Sequence, residues 1–508
     1  MMRRRLLLYS QAAVVLLLFI YLFVSYDSFS SGLDISHYSD SWRTGKQIAD
    51  NGDKKAQVQL PAPTKTSPIA GKSSPTAIER PKEKVTTEPT SEDKPQEDVK
   101  EDKHISHEQE DAADKDKGPN EENNQDKANT ELMIKAREYA RAIMDPADTS
   151  VPRMACPAVN STRYEHLTVS RWDRKHKYFI ALDLRKVMDL MPRLMGSVVE
   201  AIRFLGPRHT ALSIVEGNSD DGTAEVLALL KPELEALGVE YFLVNSAIDP
   251  KDGGRIEKLA QLRSQALEPL RNSRNATAAA LALPGSSLSF ADDATVIFIN
   301  DVALCAEDIL ELAHQRVAQG ADMTCAMDWA YLSGLDEPPA FYDVWVARGI
   351  TGDTFFEIPD DGSWAHALRP FERDPPTLAR LAAHRPFQAF ACWNGAVTFA
   401  ARPVLERALD FRVSAKGECF QGEPQLFCKD MWWHGYGKIA VVPSVNLEYT
   451  DERGRHIKQD KGYASNWTAV EDEGDLPLRI DWAGPPDMVK CMPSFDRQSW
   501  LPWNESLA

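Results

Sequence analysis

The feature that most restricts the fold of this chain is an alternation of apolar runs and amphipathic segments between Tyr178 and Trp329. The runs YFIALDL, TALSIVE, VEYFLVN, ATVIFIN and ADMTCAMDW predict strands, and the segments between them have the apolar spacing of helices. Strands that alternate with helices of about 10–15 residues form a mostly parallel sheet covered on both faces. We therefore predict an α/β fold with a mostly parallel sheet flanked by helices.

The ends of the predicted strands carry acidic side chains. Glu216, Asp301 and Asp328 stand at or near the carboxyl ends of three strands, where ligands bind in sheets of this class. An ionised carboxylate at the end of a buried strand is costly unless something pairs with it. The structural alternative for Asp301 is an N-cap of the helix that follows.

The N-terminus predicts a membrane anchor. Three arginines precede Leu6–Val24, a run of nineteen residues without charge. At about 1.5 Å per residue this run spans about 28 Å, close to the ~30 Å hydrocarbon core. The alternative, a cleaved signal peptide, usually has a shorter apolar core. We predict that residues 1–30 form a cytosolic tip and a signal-anchor transmembrane helix, with the remainder in the lumen, a type II topology.

A polar stem follows the predicted anchor. Residues 43–130 contain no Phe, Tyr, Trp or Cys and are rich in Lys, Glu, Asp, Pro, Ser and Thr. Such a segment cannot bury enough apolar surface to offset the entropy lost on ordering. We predict that residues 31–130 are a disordered stem. A lumenal domain over residues 131–508 would begin with an amphipathic helix capped by Thr130.

Charge, sequons and cysteines restrict the partners and the compartment. A net charge of −18 argues against nucleic acid, which selects basic surfaces. The four Asn-x-Ser/Thr sequons fit a secretory lumen and stand at Asn160, Asn275, Asn466 and Asn504. Seven cysteines leave at least one unpaired within the monomer. Cys156 and Cys491, near the two ends of the folded region, are a plausible disulfide.

The stretch SIVEGNSDDGT joins a predicted strand to a helix through an acidic turn. It has neither the G-x-G-x-x-G pattern of dinucleotide sites nor the glycine and lysine pattern of P-loops. In one interpretation the turn only caps the next helix. In the other, Glu216 with Asp220 or Asp221 holds polar groups of a nucleotide.

Two arginines are candidates for binding phosphate. Arg348 lies in FYDVWVARGITGD, and Arg255 follows KDGG at the start of a helix. The planar guanidinium group can bind a phosphate with two hydrogen bonds. A surface ion pair is an equal alternative for Arg348.

The segment FQAFACWNGAVTFAARP places Trp393 and Asn394 between two apolar runs. Hairpin turn chemistry alone can account for Trp-Asn-Gly. An aromatic face and a side-chain amide are also what a sugar needs, so both residues are candidates for binding an acceptor glycan.

The block GECFQGEPQLFCKDMWWHGYGKIAVVPSV predicts a helix followed by an apolar strand. Glu423 is expected at the helix start, because Pro424 tolerates only the first turn. Glu423 and Asp430 are candidate catalytic acids. His434 is a candidate metal ligand as a neutral imidazole, although a solvated histidine is the commoner case.

In this order, the Asp-rich turn, FIND, FYDVWVARGITGD, CWNG and CKDMW…VVPSV resemble the fungal capsule-associated α-1,3-mannosyltransferases of the cryptococcal mannosyltransferase 1 type, glycosyltransferase family 69. The resemblance covers about Ala136 to Lys490. It implies a GT-A-like fold and a type II Golgi membrane protein. It also implies retaining transfer of mannose from GDP-mannose to the 3-hydroxyl of an α-mannoside.

The resemblance implies roles for these candidates. Asp301 takes the place of the metal-binding D-x-D element, with Mn²⁺ or Mg²⁺ on the donor diphosphate, and His434 is a further candidate ligand. Position 303 is alanine, so the D-x-D is incomplete and Asn300, Asp328 or a downstream group would complete the shell. Asp430 would face the acceptor hydroxyl. The donor would meet the residues Glu216, Asp220, Asp221, Arg255, Asn300 and Arg348.

Two other functions fit the residues. A non-catalytic lumenal protein would use the same fold to hold a glycan or to serve as a scaffold, and the incomplete D-x-D favours it. A glycan hydrolase would need an acid and a nucleophile about 5–10 Å apart, for which Glu423 and Asp430 are the candidates.

Overall fold

A computed structural model describes residues 119–507 except 171, 252, 274–287, 333, 336 and 472–473. The predicted anchor, most of the predicted stem and the sequon at Asn275 lie outside the described residues. No helix in the described part is both long and apolar enough to cross a membrane.

The predicted mostly parallel sheet is present. Its strands are β1 (His176–Leu184), β2 (Thr210–Glu216), β3 (Glu240–Asn245), β4 (Phe290–Ile299), β5 (Met323–Ala330), β6 (Ala340–Phe341), β7 (Arg348–Gly349), β8 (Phe387–Ala391), β9 (Ala396–Ala400) and β10 (Ile439–Leu447). The order is β3-β2-β1-β4-β9-β5-β10-β8-β7, with β6 beside β5. β9 runs antiparallel between β4 and β5, so β1 to β5 and β10 all point the same way. A two-stranded ribbon of β11 (Met488–Ser494) and β12 (Arg497–Pro502) lies apart from this sheet.

Helices cover both faces of the sheet. They are α1 (Pro119–Met144), α2 (Ser161–Tyr164), α3 (Met191–Leu205), α4 (Thr223–Leu237), α5 (Arg255–Ala266), α6 (Glu268–Asn272), α7 (Ala306–Gln319), α8 (Pro375–Ala382), α9 (Arg402–Leu405), α10 (Glu423–Trp433), α11 (Asp451–Lys461) and α12 (Ala464–Thr468). Successive side chains of a strand point to opposite faces. Phe179 of β1 accordingly packs with α5 and α10, whereas Ile180 packs with α1, α3, α4 and α7.

Most predicted elements are present, and their ends are where the structure differs. α1 begins at Pro119, so Thr130 lies inside this helix and is not its N-cap. The helix predicted after KDGG is interrupted at Leu267, which separates α5 from α6. β8 and β9 flank Cys392–Gly395 but pair with other strands, so this segment is not a hairpin. Asn394 and Gly395 both have positive φ, as the turn chemistry predicts.

The predicted Cys156–Cys491 pair is wrong. Cys156 pairs with Cys305, Cys325 with Cys392, and Cys419 with Cys491. Cys428 is buried and unpaired, as the odd cysteine count requires. Which cysteines meet depends on the packing of distant segments, which spacing along the chain does not reveal.

Candidate functional site

The carboxyl ends of four strands meet at a cleft. Asp183 lies near the end of β1, Asp301 follows β4, Asp328 lies in β5 and Tyr449 follows β10. Asp328 is fully buried, whereas Asp183, Asp301 and Tyr449 are partly exposed. Partly exposed side chains from strands on both sides of β9 therefore lie near one another at this edge of the sheet, and the region they line is called the cleft here.

Negative charge accumulates on the β1 side of the cleft. Burial raises the pKa of Asp183 to about 7, and the neighbouring carboxylates of Asp301 and Glu423 add to the rise. Arg263 opposes the rise. Asp183 and Asp301 are thus close enough for their charges to repel, an arrangement that suits a bound cation.

Arg263 is a buried arginine close to these acids. The Arg263 guanidinium, from α5, forms an ion pair with Glu423, the first residue of α10. It lies over the Trp393 ring at 5.1 Å from the ring centroid. Burial raises the pKa of Glu423, and Arg263 limits that rise. The expectation that Glu423 begins its helix is confirmed.

A second acidic group lies on the β5 side. The Tyr449 hydroxyl donates to Asp328 Oδ2 at 2.6 Å, and the Asn394 backbone N–H donates to Asp343 Oδ2 at 3.0 Å. Burial raises the pKa of Asp343 to about 6. Burial also raises the pKa of Asp328, and the charge of Asp343 adds to that rise. The Tyr342 and Tyr449 rings meet edge to face, 5.2 Å between centroids.

Three of the predicted site residues, Asn300, Asp301 and Arg255, lie near these acids. Asp301 is not a helix cap, because α7 begins at Ala306 and Cys305 is its N-cap. Asn300 accepts a hydrogen bond from Trp393 Nε1 at 3.1 Å. The positive charge of Arg255 acts on Tyr342 and on Glu423. The binding roles predicted for Asn300, Asp301 and Arg255 stay predictions.

Two carboxylates of the acidic turn after β2 accept hydrogen bonds from backbone N–H groups. Glu216 is buried and accepts hydrogen bonds from the N–H groups of Asn218 and Ser219 at 3.0 and 2.9 Å. Asp221 accepts from the N–H groups of Thr223 and Met188. Both carboxylates therefore hold the turn, and the predicted donor contacts of Glu216 and Asp221 are not supported. Asp220 is exposed and pairs with Lys186 at 2.8 Å.

Arg348 does not line the cleft. Its guanidinium is fully buried and donates to the carbonyl oxygens of Lys490, Val344 and Ala347 at 2.9, 3.2 and 2.8 Å. Both alternatives for this residue, a phosphate ligand and a surface ion pair, are wrong. Arg348 instead ties the loop before β7 to β11.

Trp393 and Asn394 are too deeply buried to hold a sugar. Their side chains are 1% and 0% exposed. The Trp393 ring packs edge-on against Phe298 and Phe411, and Asn394 Nδ2 donates to the Ala326 carbonyl at 2.8 Å. Their predicted role as acceptor ligands is therefore wrong, and they form the floor beneath the cleft.

Asp430 and His434 lie away from the cleft. Arg412 donates to both oxygens of Asp430, at 2.7 and 2.8 Å, so this carboxylate is committed to an ion pair. His434 is exposed at the end of α10, which leads into Ile439, the residue that starts β10 at the amino edge of the sheet. A metal ion at Asp301, beyond the carboxyl edge, would be out of reach of His434, so the assignment of these two residues to one metal ion is wrong. The catalytic role predicted for Asp430 stays a prediction, and its ion pair with Arg412 does not support it.

The cleft suits a divalent cation only in part. In the described part of the chain no group of three His, Cys, Asp or Glu side chains is arranged to hold a metal ion. Asp183 and Asp301 offer two carboxylates of the hard-oxygen type that Mn²⁺ and Mg²⁺ accept. A cation there would need further oxygens from water and from a bound diphosphate, as Mg²⁺ commonly does.

Sequence reasoning missed the acids and aromatics that only the sheet brings together. Asp183 was visible as one acid inside the apolar run YFIALDL, and Asp343 as one acid between the aromatic residues of FYDVW. Arg263 carries no such signal, because it is one of several charged residues on an amphipathic helix.

Comparison with known proteins identifies relatives by sequence. A family model described as Cryptococcal mannosyltransferase 1 matches residues 177–430. The alpha-1,3-mannosyltransferase CMT1 of Cryptococcus neoformans var. neoformans is 35% identical over 334 residues, which cover 63% of this chain and 68% of that protein.

Solved structures share a more remote likeness. S. aureus TarS 1-349 is 12% identical over 59% of this chain and 67% of that chain, with a TM-score of 0.29. GalNAc-T7 with UDP, GalNAc and Mn²⁺ is 11% identical over 60% and 55%, with a TM-score of 0.34. The mannosyltransferase PcManGT from Pyrobaculum calidifontis, in complex with GDP-Man and Mn²⁺, is 11% identical over 62% and 72%, with a TM-score of 0.30. At these values the structural likenesses support no functional assignment.

Proposed function

Since this chain belongs to the cryptococcal mannosyltransferase 1 family, we propose that it transfers mannose from GDP-mannose to the 3-hydroxyl group of an α-mannoside, with retention of configuration. Membership of this family confirms the prediction that the chain is a mannosyltransferase. The donor, the linkage and the stereochemistry are the proposal.

The observation that carries the proposal is the charge distribution of the cleft. Asp183 and Asp301 repel one another at the ends of β1 and β4, while the positive charge of Arg255 acts on the nearby Tyr342 and Glu423. A donor diphosphate bound with a divalent cation would compensate both the repelling carboxylates and the arginine. A neutral sugar alone would leave the acids uncompensated, which is costly in a partly buried site.

The cleft favours front-face substitution. In this reaction the bond from mannose C1 to the phosphate oxygen breaks, and the bond from C1 to the acceptor O3 forms on the same face. The acceptor proton passes to the departing phosphate oxygen of GDP. A double displacement through Glu423 is disfavoured, because that carboxylate is fully buried and paired with Arg263.

Asp301 and Asp183 are the residues that would hold the divalent cation. When bound, the cation would neutralise charge on the diphosphate and so lower the cost of its departure. Arg255, at the first turn of α5, would bind the same diphosphate and stabilise the negative charge that grows on it.

The hydrolase alternative is not supported for either of its two acids. It required Glu423 and Asp430 to act on the same bond, but Arg412 holds Asp430 through two hydrogen bonds. Glu423 is 0% exposed, so neither acid is presented to a glycan.

The test is a transfer assay on the full-length protein. With labelled GDP-mannose, Mn²⁺ and α-mannobiose, we expect a trisaccharide whose new bond is α-1,3 by NMR. Asp301→Ala should abolish transfer, because the remaining carboxylate binds a cation weakly. The matched control is Asp292→Ala, at an exposed aspartate in β4 outside the cleft, and this variant should turn over normally.

Two results would contradict the proposal. Near-wild-type turnover by Asp301→Ala with saturating GDP-mannose would show that Asp301 does not bind the catalytic cation. Release of free mannose from α-mannobiose without GDP-mannose would make the protein a hydrolase.

We also propose that the protein is a single-pass type II protein of the Golgi membrane, with the described domain in the lumen. Three disulfides support an oxidising compartment. We expect glycosidase-sensitive glycans on the full-length protein and protection of the domain from protease in sealed vesicles. Cleavage of the domain in intact vesicles would show the opposite topology.

A further inference from the structure

We propose that Asp343, Tyr342 and Tyr449 form the acceptor-sugar subsite, in place of the buried Trp393 and Asn394. The inference rests on the proposed function and assigns the sugar-binding part of the same cleft. The occupant is the nonreducing mannose of an α-mannoside, which offers ring hydroxyls and an apolar C–H face.

The sheet topology separates two halves of the cleft. β3, β2, β1 and β4 form a parallel half, and antiparallel β9 divides it from the half that contains β5 and β10. Asp301 stands at the boundary, after β4. Nucleotides bind at the carboxyl ends of a parallel half, so a donor whose diphosphate meets Asp301 leaves the β5 and β10 side to the acceptor. Asp328, Tyr342 and Tyr449 belong to that side.

Asp343 presents a carboxylate to this half of the cleft. Its Oδ2 accepts the Asn394 N–H at 3.0 Å, which fixes the side chain, and the residue remains partly exposed. The charge of Arg263 favours the ionised form of Asp343, and the charge of Glu423 opposes it. A fixed, ionised carboxylate is an acceptor-only group that suits the hydroxyl donors of a sugar.

Tyr342 and Tyr449 supply aromatic surface next to that carboxylate. Both rings are partly exposed and meet edge to face at 5.2 Å, which holds one against the other. The charges of Asp301, Asp328 and Asp343 all act on Tyr342. This ring therefore stands between the proposed diphosphate site and the proposed acceptor site, where a transferred sugar must pass.

Asp328 gives an independent sign of a missing ligand. The residue is 0% exposed, and Tyr449 satisfies only its Oδ2, at 2.6 Å. Among the described residues its Oδ1 has no hydrogen-bond partner. A buried polar atom without a partner is costly, and an ordered water between Asp328 and the proposed subsite would satisfy it.

The experiment separates acceptor binding from donor binding in the full-length protein. The variants are Asp343→Asn, Tyr342→Ala and Tyr342→Phe, and the matched controls are Asp189→Asn and Tyr139→Phe, which lie outside the cleft. For Asp343→Asn we expect the KM for α-mannobiose to rise about tenfold or more, since a hydrogen bond to a charged group is lost. For Tyr342→Ala we expect a rise of about three- to tenfold, and Tyr342→Phe should restore most of it because the ring is kept.

Calorimetry with GDP-mannose and Mn²⁺ provides the second readout. For Asp343→Asn we expect its Kd to stay within about twofold of wild type, because the donor lies on the other half of the sheet. For Tyr342→Ala, whose ring borders both sites, we expect a smaller loss of donor affinity than of acceptor affinity. An unchanged acceptor KM in Asp343→Asn, or a loss of donor affinity as large as the loss of acceptor affinity, would overturn the subsite. A wild-type protein that binds no GDP-mannose would instead overturn the proposed function.

Discussion

At the scale of single residues, the cleft is characterised by acids whose charges are incompletely compensated. Asp183, Asp328, Asp343 and Glu423 all have raised pKa values, and burial is the main cause for each. A carboxylate whose pKa is raised by burial destabilises the folded chain at neutral pH unless a paired cation offsets that cost, as Arg263 does for Glu423.

Asp183→Asn should raise the melting temperature by a few degrees in metal-free buffer at pH 8, and by less at pH 5. The pKa of Asp183 is raised to about 7, so its proton stabilises the folded state at low pH. That stability is lost as the pH rises from near 3.8, the ordinary pKa of an aspartate, to about 7. Asparagine does not titrate, so the variant keeps its stability over this range. Differential scanning fluorimetry against the exposed Asp189→Asn control measures the effect. A lower melting temperature at pH 8 would show that the Asp183 charge is already compensated.

The acceptor KM should rise as the pH falls from about 7.5 to about 5.5, because the Asp343 carboxyl, with a pKa raised to about 6, becomes protonated. The charged groups that face it are Asp328, Glu423, Arg263 and Arg348. Asp343→Asn should flatten this profile while the donor KM follows the wild-type profile. An equally steep acceptor profile in the variant would assign the titration to another group.

At the scale of elements, α5 and α10 are joined beneath the cleft by the ion pair between Arg263 and Glu423. Both side chains are almost fully buried, and Trp393 packs against the arginine. Removal of one partner of a buried ion pair leaves an uncompensated charge, whereas removal of both can be nearly neutral.

Glu423→Gln should therefore lower the free energy of unfolding by ~3–5 kcal/mol. The double variant Arg263→Met, Glu423→Gln should recover a large part of that loss, because no buried charge remains. Urea unfolding followed by tryptophan fluorescence gives both values. A double variant that is no more stable than Glu423→Gln would mean that Arg263 contributes mainly through packing on Trp393.

At the scale of the whole molecule, three disulfides connect segments that are distant in sequence. Cys156–Cys305 closes the largest loop, with a separation of 149 residues, and links the segment before β1 to the start of α7. Cys419–Cys491 joins the loop before α10 to the β11–β12 ribbon. Cross-links over long loops restrict the unfolded chain most.

The Cys156→Ser, Cys305→Ser double variant should lose ~2–5 kcal/mol of unfolding free energy relative to wild type. Cys428→Ala is the matched control, because it removes a buried thiol without breaking a cross-link. Its expected loss is ~1 kcal/mol. Chemical denaturation under non-reducing conditions measures both losses. Equal losses would show that packing at these sites, and not the cross-link, accounts for the stability.

The local pattern was sufficient for the order of strands and helices, the parallel sheet, the odd free cysteine, the position of Glu423 at a helix start and the place of Asp301 just after a buried strand. Each of these follows from side-chain periodicity, turn chemistry or counting, which act between near neighbours. The family assignment likewise follows from residue order alone.

Tertiary structure alone decided which candidates share a cleft. Arg348, Asp430 and Glu216 have the chemistry of site residues, yet the fold commits them to carbonyl oxygens, to an arginine and to a turn. Asp183, Arg263 and Asp343 come from separate elements and meet only because the sheet aligns the ends of β1 and β5. A charged side chain acts according to what it faces, and in a sheet with crossovers its neighbours in space are distant along the chain.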